Sequence, residues 1–211
     1  MNVQTYYSIG EDFSSRGAAR AALVNPSAVT DAPSSDPLPT SSPIAWVNEL
    51  ATGRRRPTAT LRFDQTEGLS WLDLVGTTLA SVKLISERIF NAFVASGVTG
   101  WEGIPVDVRR ADGHAVRGYY LFVVKGRSGP IDNARSVQVD RIRLVKGSQR
   151  LSKVWMGLFF DESTWDGSDV FAPGRSAFCF VTQKVKDILE RENATNFSIR
   201  ALVDIERMSL V

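Results

Sequence analysis

A chain of 211 residues with 43% hydrophobic and 23% charged residues has enough apolar material for one sizeable core or two small ones. Lysine and arginine number 25 against 23 acidic residues, and a formal charge of +2 gives no reason to expect a nucleic-acid partner. No Lys/Arg-led apolar leader and no run of about twenty apolar residues occurs, so the expectation is a cytoplasmic protein without a membrane span.

The opening Val3 to Ile9 alternates and carries Tyr6-Tyr7, which predicts a short strand ended by Gly10. From Ser14 to Pro43 the chain holds seven Ser, five Pro and six Ala, too little large apolar surface to offset the entropy of ordering, and a long Pro/Ser-rich loop or tether is expected over residues 14–43. Order resumes at Ile44-Ala45-Trp46-Val47, and Thr58 to Phe63 alternates like a half-buried strand. Between them Arg54-Arg55-Arg56 reads as a basic patch or, more simply, a solvated turn. Residues 1–68 therefore form an N-terminal region of strand, tether and strand, and 69–211 the main domain.

Two stretches of that main domain, 84–108 and 180–205, share one plan: apolar strand, Ser/Thr cap, amphipathic helix, Thr-containing turn, strand. Ser86 matches Thr182, Ile89 matches Val185, and Trp101 matches Phe197. Each hydroxyl can accept from the free amides of the first helical turn, and Gly97 and Asn193 suit the left-handed position that ends a helix. Ile89, Phe90, Phe93 and Val94 make one apolar helix face, and Val185, Ile188 and Leu189 the other, so both helices are expected to lie across a shared β-layer.

Between the two stretches the signals are those of an antiparallel meander. Ala111-Asp112-Gly113-His114 is a hairpin turn, Gly118 to Val124 a buried strand, and Val137 to Leu144 a strand with one wet face; Val154 to Phe160 follows. The fold class is α+β, mainly antiparallel, with two similar strand-helix-strand units and the long N-terminal loop.

Chemistry is sparse. Ser-His-Asp hydrolysis needs a histidine as base, and His114 sits in a predicted turn without a Gly-x-Ser-x-Gly elbow. Cys179, the single cysteine, lies in Ala177-Phe178-Cys179-Phe180-Val181 and reads as a small buried hydrophobe. One His and one Cys do not make a zinc site, and Gly126 to Pro130 lacks the spacing of a phosphate loop, so no cofactor is expected.

The loop Asp161-Glu162-Ser163-Thr164-Trp165-Asp166-Gly167-Ser168-Asp169 is the one cluster with chemical capacity. Three readings stand: a polar loop, a protein-contact surface using Asp161, Glu162, Trp165, Asp166 and Asp169, or a metal or catalytic site using the carboxylates. Trp165 is a contact anchor on one reading and core packing on another. Arg141, Arg143, Lys146, Arg150 and Lys153 could line one side of the meander, but without interleaved aromatics they do not resemble a single-strand RNA surface.

From Trp71 onward the order of parts resembles the immunity proteins of bacterial polymorphic toxin systems, a family represented in myxobacteria. The likeness rests on Tyr6-Tyr7, Leu84-Ile85-Ser86-Glu87-Arg88, Ile104-Pro105-Val106, Tyr119-Tyr120-Leu121, Arg135-Ser136-Val137, Ile142-Arg143-Leu144 and Phe180-Val181-Thr182. It implies a non-catalytic protein that binds a cognate toxin and blocks it. A metal-dependent enzyme using the loop carboxylates is the alternative, and a structural subunit using residues 14–43 as an arm is a third.

Overall fold

The computed structural model describes residues 5–30, 43–145, 148–174, 176 and 178–208. In chain order its first half comprises β1 (Tyr6–Glu11), β2 (Arg20–Leu23), α1 (Ser27–Thr30), α2 (Pro43–Ala51), β3 (Arg62–Glu67), β4 (Leu74–Thr77), β5 (Lys83–Ser86), α3 (Glu87–Ala95), β6 (Trp101–Pro105), β7 (Asp107–Arg109) and β8 (Ala115–Val116). There follow β9 (Tyr119–Val124), β10 (Gly126–Ser128), β11 (Val137–Val145), β12 (Ser148–Met156), β13 (Val170–Pro173), β14 (Cys179–Thr182), α4 (Gln183–Arg191), β15 (Phe197–Ala201) and β16 (Glu206–Met208).

The strands form a five-stranded sheet in the order β10-β13-β14-β1-β15, an eight-stranded sheet in the order β6-β9-β5-β4-β2-β3-β7-β8, and a small sheet β11-β12-β16. One pairing pattern occurs in both large sheets. β4 pairs antiparallel with β5, Leu74 opposite Ile85, as β13 pairs with β14, Val170 opposite Val181. β2 lies parallel to β4 as β10 lies parallel to β13.

The strand that completes each pattern comes from elsewhere in the chain. β9 enters between β5 and β6 with Tyr119 opposite Ser86, while β1 enters between β14 and β15 with Tyr6 opposite Thr182. Tyr6-Tyr7 and Tyr119-Tyr120 thus occupy matching places in the two sheets. β1 precedes β4 and β5 in the chain yet pairs with the later strands, and β9 precedes β13 and β14 yet pairs with the earlier ones. With the chain divided between β8 and β9, each half holds the other's leading strand.

Local chemistry explains the helix ends. The Ser86 hydroxyl accepts from the Ile89 amide at 3.4 Å, and Glu87 places negative charge at the positive end of α3. Gly97 and Asn193 end the two helices at φ +59° and +48°, the conformation anticipated for both. Thr182 departs from expectation: its side chain makes no capping bond and instead donates to Asp169.

The shared β-layer is also corrected. α3 packs on β5 and β9 of the larger sheet and α4 on β14 and β1 of the smaller one, and the helices meet each other. Their apolar faces join one core in which Ile89, Phe93, Val185, Ile188 and Leu189 close on Ile9, Leu74, Ile85, Phe122, Val170 and Val181. Burying each such side chain stabilises by about 1.5–3 kcal/mol, which is why the sheets pack through this layer. Val94 does not take part and is 59% exposed; Phe90 is half-buried and stacks on Tyr120.

A second core lies under α1 and α2, where Val29, Val47 and Leu50 cover Phe63, Leu84 and Leu121. The expected tether is therefore ordered over part of its length: residues 20–23 are a strand and 27–30 a short helix, while 31–42 lie outside the described residues. Alanines 21, 28 and 51 let the helices approach the sheet closely, so small residues supply packing where large ones were sought. The strand read at Thr58 to Phe63 begins only at Arg62. Arg55 is buried rather than solvated, bonding Glu49 at 2.9 Å and the Val29 carbonyl at 3.1 Å.

Candidate functional site

Two aspartates join the halves reciprocally. Asp73 accepts from the Ser86 hydroxyl at 2.7 Å, from Arg88, and from the amide and hydroxyl of Thr195 at 2.8 and 2.7 Å. Asp169 accepts from the Thr182 hydroxyl at 3.2 Å, from Lys184 at 2.9 Å, and from the amide and hydroxyl of Thr99 at 3.0 and 3.2 Å. Ser86, Arg88 and Thr99 differ from Thr182, Lys184 and Thr195 by one constant offset, the same that separates Asp73 from Asp169.

Burial pushes both carboxyls up, but the bonds outweigh it: the Thr195 amide, Ser86 and Arg88 hold Asp73 below the ordinary range, and Lys184 with the Thr99 amide does so for Asp169. Asp169 was a candidate contact residue; the structure places it inside this clasp. Asp73 is not among the sequence candidates, and Thr99 and Thr195 enter only through the Thr-containing turns, although the thirteen-position spacing from Asp73 to Ser86 recurs between Asp169 and Thr182.

The rest of the acidic loop is shaped by its own bonds. Asp161 accepts from the Ser163 amide and hydroxyl at 3.0 and 2.8 Å and starts a single helical turn. Asp166 accepts from the Ser168 amide at 3.0 Å and the Arg127 amide at 2.7 Å. The Trp165 indole donates to the Ser168 carbonyl, and its ring lies 5.4 Å from Tyr6 and 5.5 Å from Phe171. Asp161 and Glu162 face solvent, and Glu162 accepts from the Tyr6 hydroxyl at 3.3 Å.

Beside Glu162 opens a cleft of about 190 Å³ lined by Tyr6, Arg135, Phe159, Phe160, Leu202 and Val203. β11 leaves two residues after Arg135, so the cleft lies at the root of the β11–β12 hairpin. There Val154 is fully buried, Arg207 bonds Ser136 and Asn133, and Arg141 bonds Glu206.

Farther out, the described side chains of the hairpin are exposed on both faces. Ile142 stands opposite Leu151, 68% and 70% exposed, and Val137 is 62% exposed. Arg141 faces Ser152 and Lys153 faces Asp140, so these two cations point to opposite sides, contrary to the single basic side expected. Arg143 is paired with Arg150 in the register, and Lys146 lies outside the described residues.

The other candidates carry little. His114 is 81% exposed beside Asp112 in the hairpin joining β7 and β8. Cys179 and Lys83 line a cavity of about 60 Å³ between the halves, and burial pushes the thiol up to about 12. Among the described residues no three His, Cys, Asp or Glu side chains gather as a metal site, and no helix is long and apolar enough to cross a membrane.

No curated protein matches the sequence. Residues 5–204 match the Immunity protein family (Imm11), a span that takes in both exchanged strands, both aspartate clasps and the hairpin, and the chain belongs to that family.

Proposed function

We propose that this protein neutralises a cognate bacterial toxin in the cytoplasm by direct, non-catalytic binding. Family membership across residues 5–204 carries this reading. The geometry supports it by offering a surface rather than a reaction centre: an acidic loop whose shape is fixed by Asp161, Trp165 and Asp166, a cleft beside Glu162, and an exposed hairpin at the cleft's edge. In this reading Asp161 and Glu162 meet the partner, while Trp165, Asp166 and Asp169 hold them in place. Inhibition of this kind draws on complementary shape and charge.

Co-expression with the toxin encoded beside its gene tests the proposal. Restored growth together with a stoichiometric complex on gel filtration is expected. Protection without a complex, or a complex without protection, removes direct neutralisation.

A further inference from the structure

The β11–β12 hairpin has features that internal packing leaves unexplained. Among the described residues β16 pairs with Val154–Met156, and from Lys153 to Ser148 strand β12 has β11 as its single hydrogen-bonded neighbour. Among the described residues β11 is the outer strand, and its edge, without a strand partner there, offers backbone donors and acceptors along nine residues, about 30 Å of extended chain. Soluble proteins blunt such an edge or use it.

The side chains favour use. Ile142 and Leu151 form a cross-strand aliphatic pair with most of its surface in water, an arrangement that buries little apolar area in the isolated chain. From Val137 to Met156 the sequence carries Arg141, Arg143, Lys146, Arg150 and Lys153 against Asp140 alone, in a chain whose total charge is only +2. A second copy of this hairpin would bring those cations together, so self-pairing along the edge is opposed by charge. An anionic partner matches this excess of positive charge, and an apolar spot within its acidic surface would cover Ile142 and Leu151.

We infer that the β11–β12 hairpin is a docking arm for an acidic protein surface, and, resting on the neutralisation reading above, that this surface belongs to the toxin. The cations steer association, Ile142 and Leu151 slow dissociation, and the β11 edge fixes orientation.

The test measures binding of the full-length protein to the catalytically inactivated toxin domain encoded beside its gene, by biolayer interferometry across a salt series. Three proteins are compared: wild type, Arg143→Glu/Arg150→Glu, and Ile142→Ser/Leu151→Ser. Each variant is first required to melt within a few degrees of wild type; should one fail, Lys153→Gln or Leu151→Thr replaces it.

Charge reversal is expected to slow association at least tenfold and flatten its salt dependence, and the polar pair to speed dissociation at least tenfold. If wild type binds and folded variants bind equally well, the arm is overturned while neutralisation stands. If wild type does not bind, both fall. If wild type instead binds anionic vesicles or single-stranded RNA at 150 mM salt through these residues, with toxin binding unchanged, the protein-docking arm is overturned.

Discussion

Asp73 and Asp169 stand at matching points of the two halves, and each fastens a helix start of its own half to a threonine turn of the other. Cutting either clasp loosens both the helix N-terminus and the contact between halves. Asp73→Ala leaves the Thr195 amide and the Arg88 guanidinium without their acceptor, which costs about 2–4 kcal/mol. Asp169→Ala, whose carboxylate is the more open of the two, is expected to cost less. Urea denaturation of both variants checks the order, and equal midpoints to wild type would remove the clasp's role.

The same aspartates set the acid limit. Their folded-state pKa values are depressed, so the unfolded chain binds more protons as pH falls. Their contribution is present above the ordinary carboxylate value, near 3.9, and is lost as pH drops through the folded values. Stability measured from pH 6 to pH 2 should therefore fall less steeply in Asp73→Asn/Asp169→Asn than in wild type. Parallel curves would place the acid sensitivity elsewhere.

Much of this was readable from the sequence, and the rest was not for identifiable reasons. Ser86, Gly97 and Asn193 announced helix boundaries because capping and left-handed ends are local requirements, while Thr182 stands at the start of α4 without capping it. The exchange of β1 and β9 was hidden, since pairing partners are long-range and Tyr6-Tyr7 and Tyr119-Tyr120 carry no mark of which sheet receives them. Small residues misled in the other direction: Ala21 and Ala28 looked like tether and pack in a core. In the acidic loop, composition drew attention to the carboxylates, yet what fixes Asp166 and Asp169 is bonding to Arg127, Thr99 and Lys184, far away in sequence. The hairpin's Ile142 and Leu151 carried a usable signal, as each is an apolar residue set among charged neighbours, but only the register showed them to be opposite.

Gly97 and Gly100 separate two reasons for glycine. Both have positive φ, but Cβ at Gly97 would meet open space, whereas at Gly100 it would collide with the Val170 carbonyl and the Ser168 side chain. Gly97→Ala should cost about 1 kcal/mol, the penalty for left-handed backbone alone. Gly100→Ala should cost about 3 kcal/mol or more, because backbone must move as well. Thermal melts of the two proteins settle the ranking, and similar losses would mean that the Gly100 approach relaxes freely.

Tyr6 and Tyr119 make matching predictions at high pH. Burial first, then the charge of Glu162 beside Tyr6 and of Asp73 beside Tyr119, pushes both phenols up to about 12. A raised folded-state pKa means that stability is whole below about pH 10 and declines as pH rises toward 12. Ultraviolet titration should show a late component that Tyr6→Phe and Tyr119→Phe each reduce. Full ionisation of all four tyrosines near pH 10 in the folded protein would contradict the enclosure of these two rings.

Cys179 offers a probe of the seam between halves. Its thiol lines the small cavity with Ile9, Lys83 and Phe122, and burial pushes it up to about 12 while the Lys83 charge pulls weakly the other way. The thiolate is the reactive form, so at pH 8 the folded protein should alkylate with iodoacetamide at least tenfold more slowly than the same chain in denaturant. Asp73→Ala, which weakens the clasp between halves, should speed labelling in step with its loss of stability if the thiol is reached by opening of that seam. Wild-type labelling as fast as that of the unfolded chain would mean that the seam is open in solution, and with it the packing that brings β1 and β9 into each other's sheets.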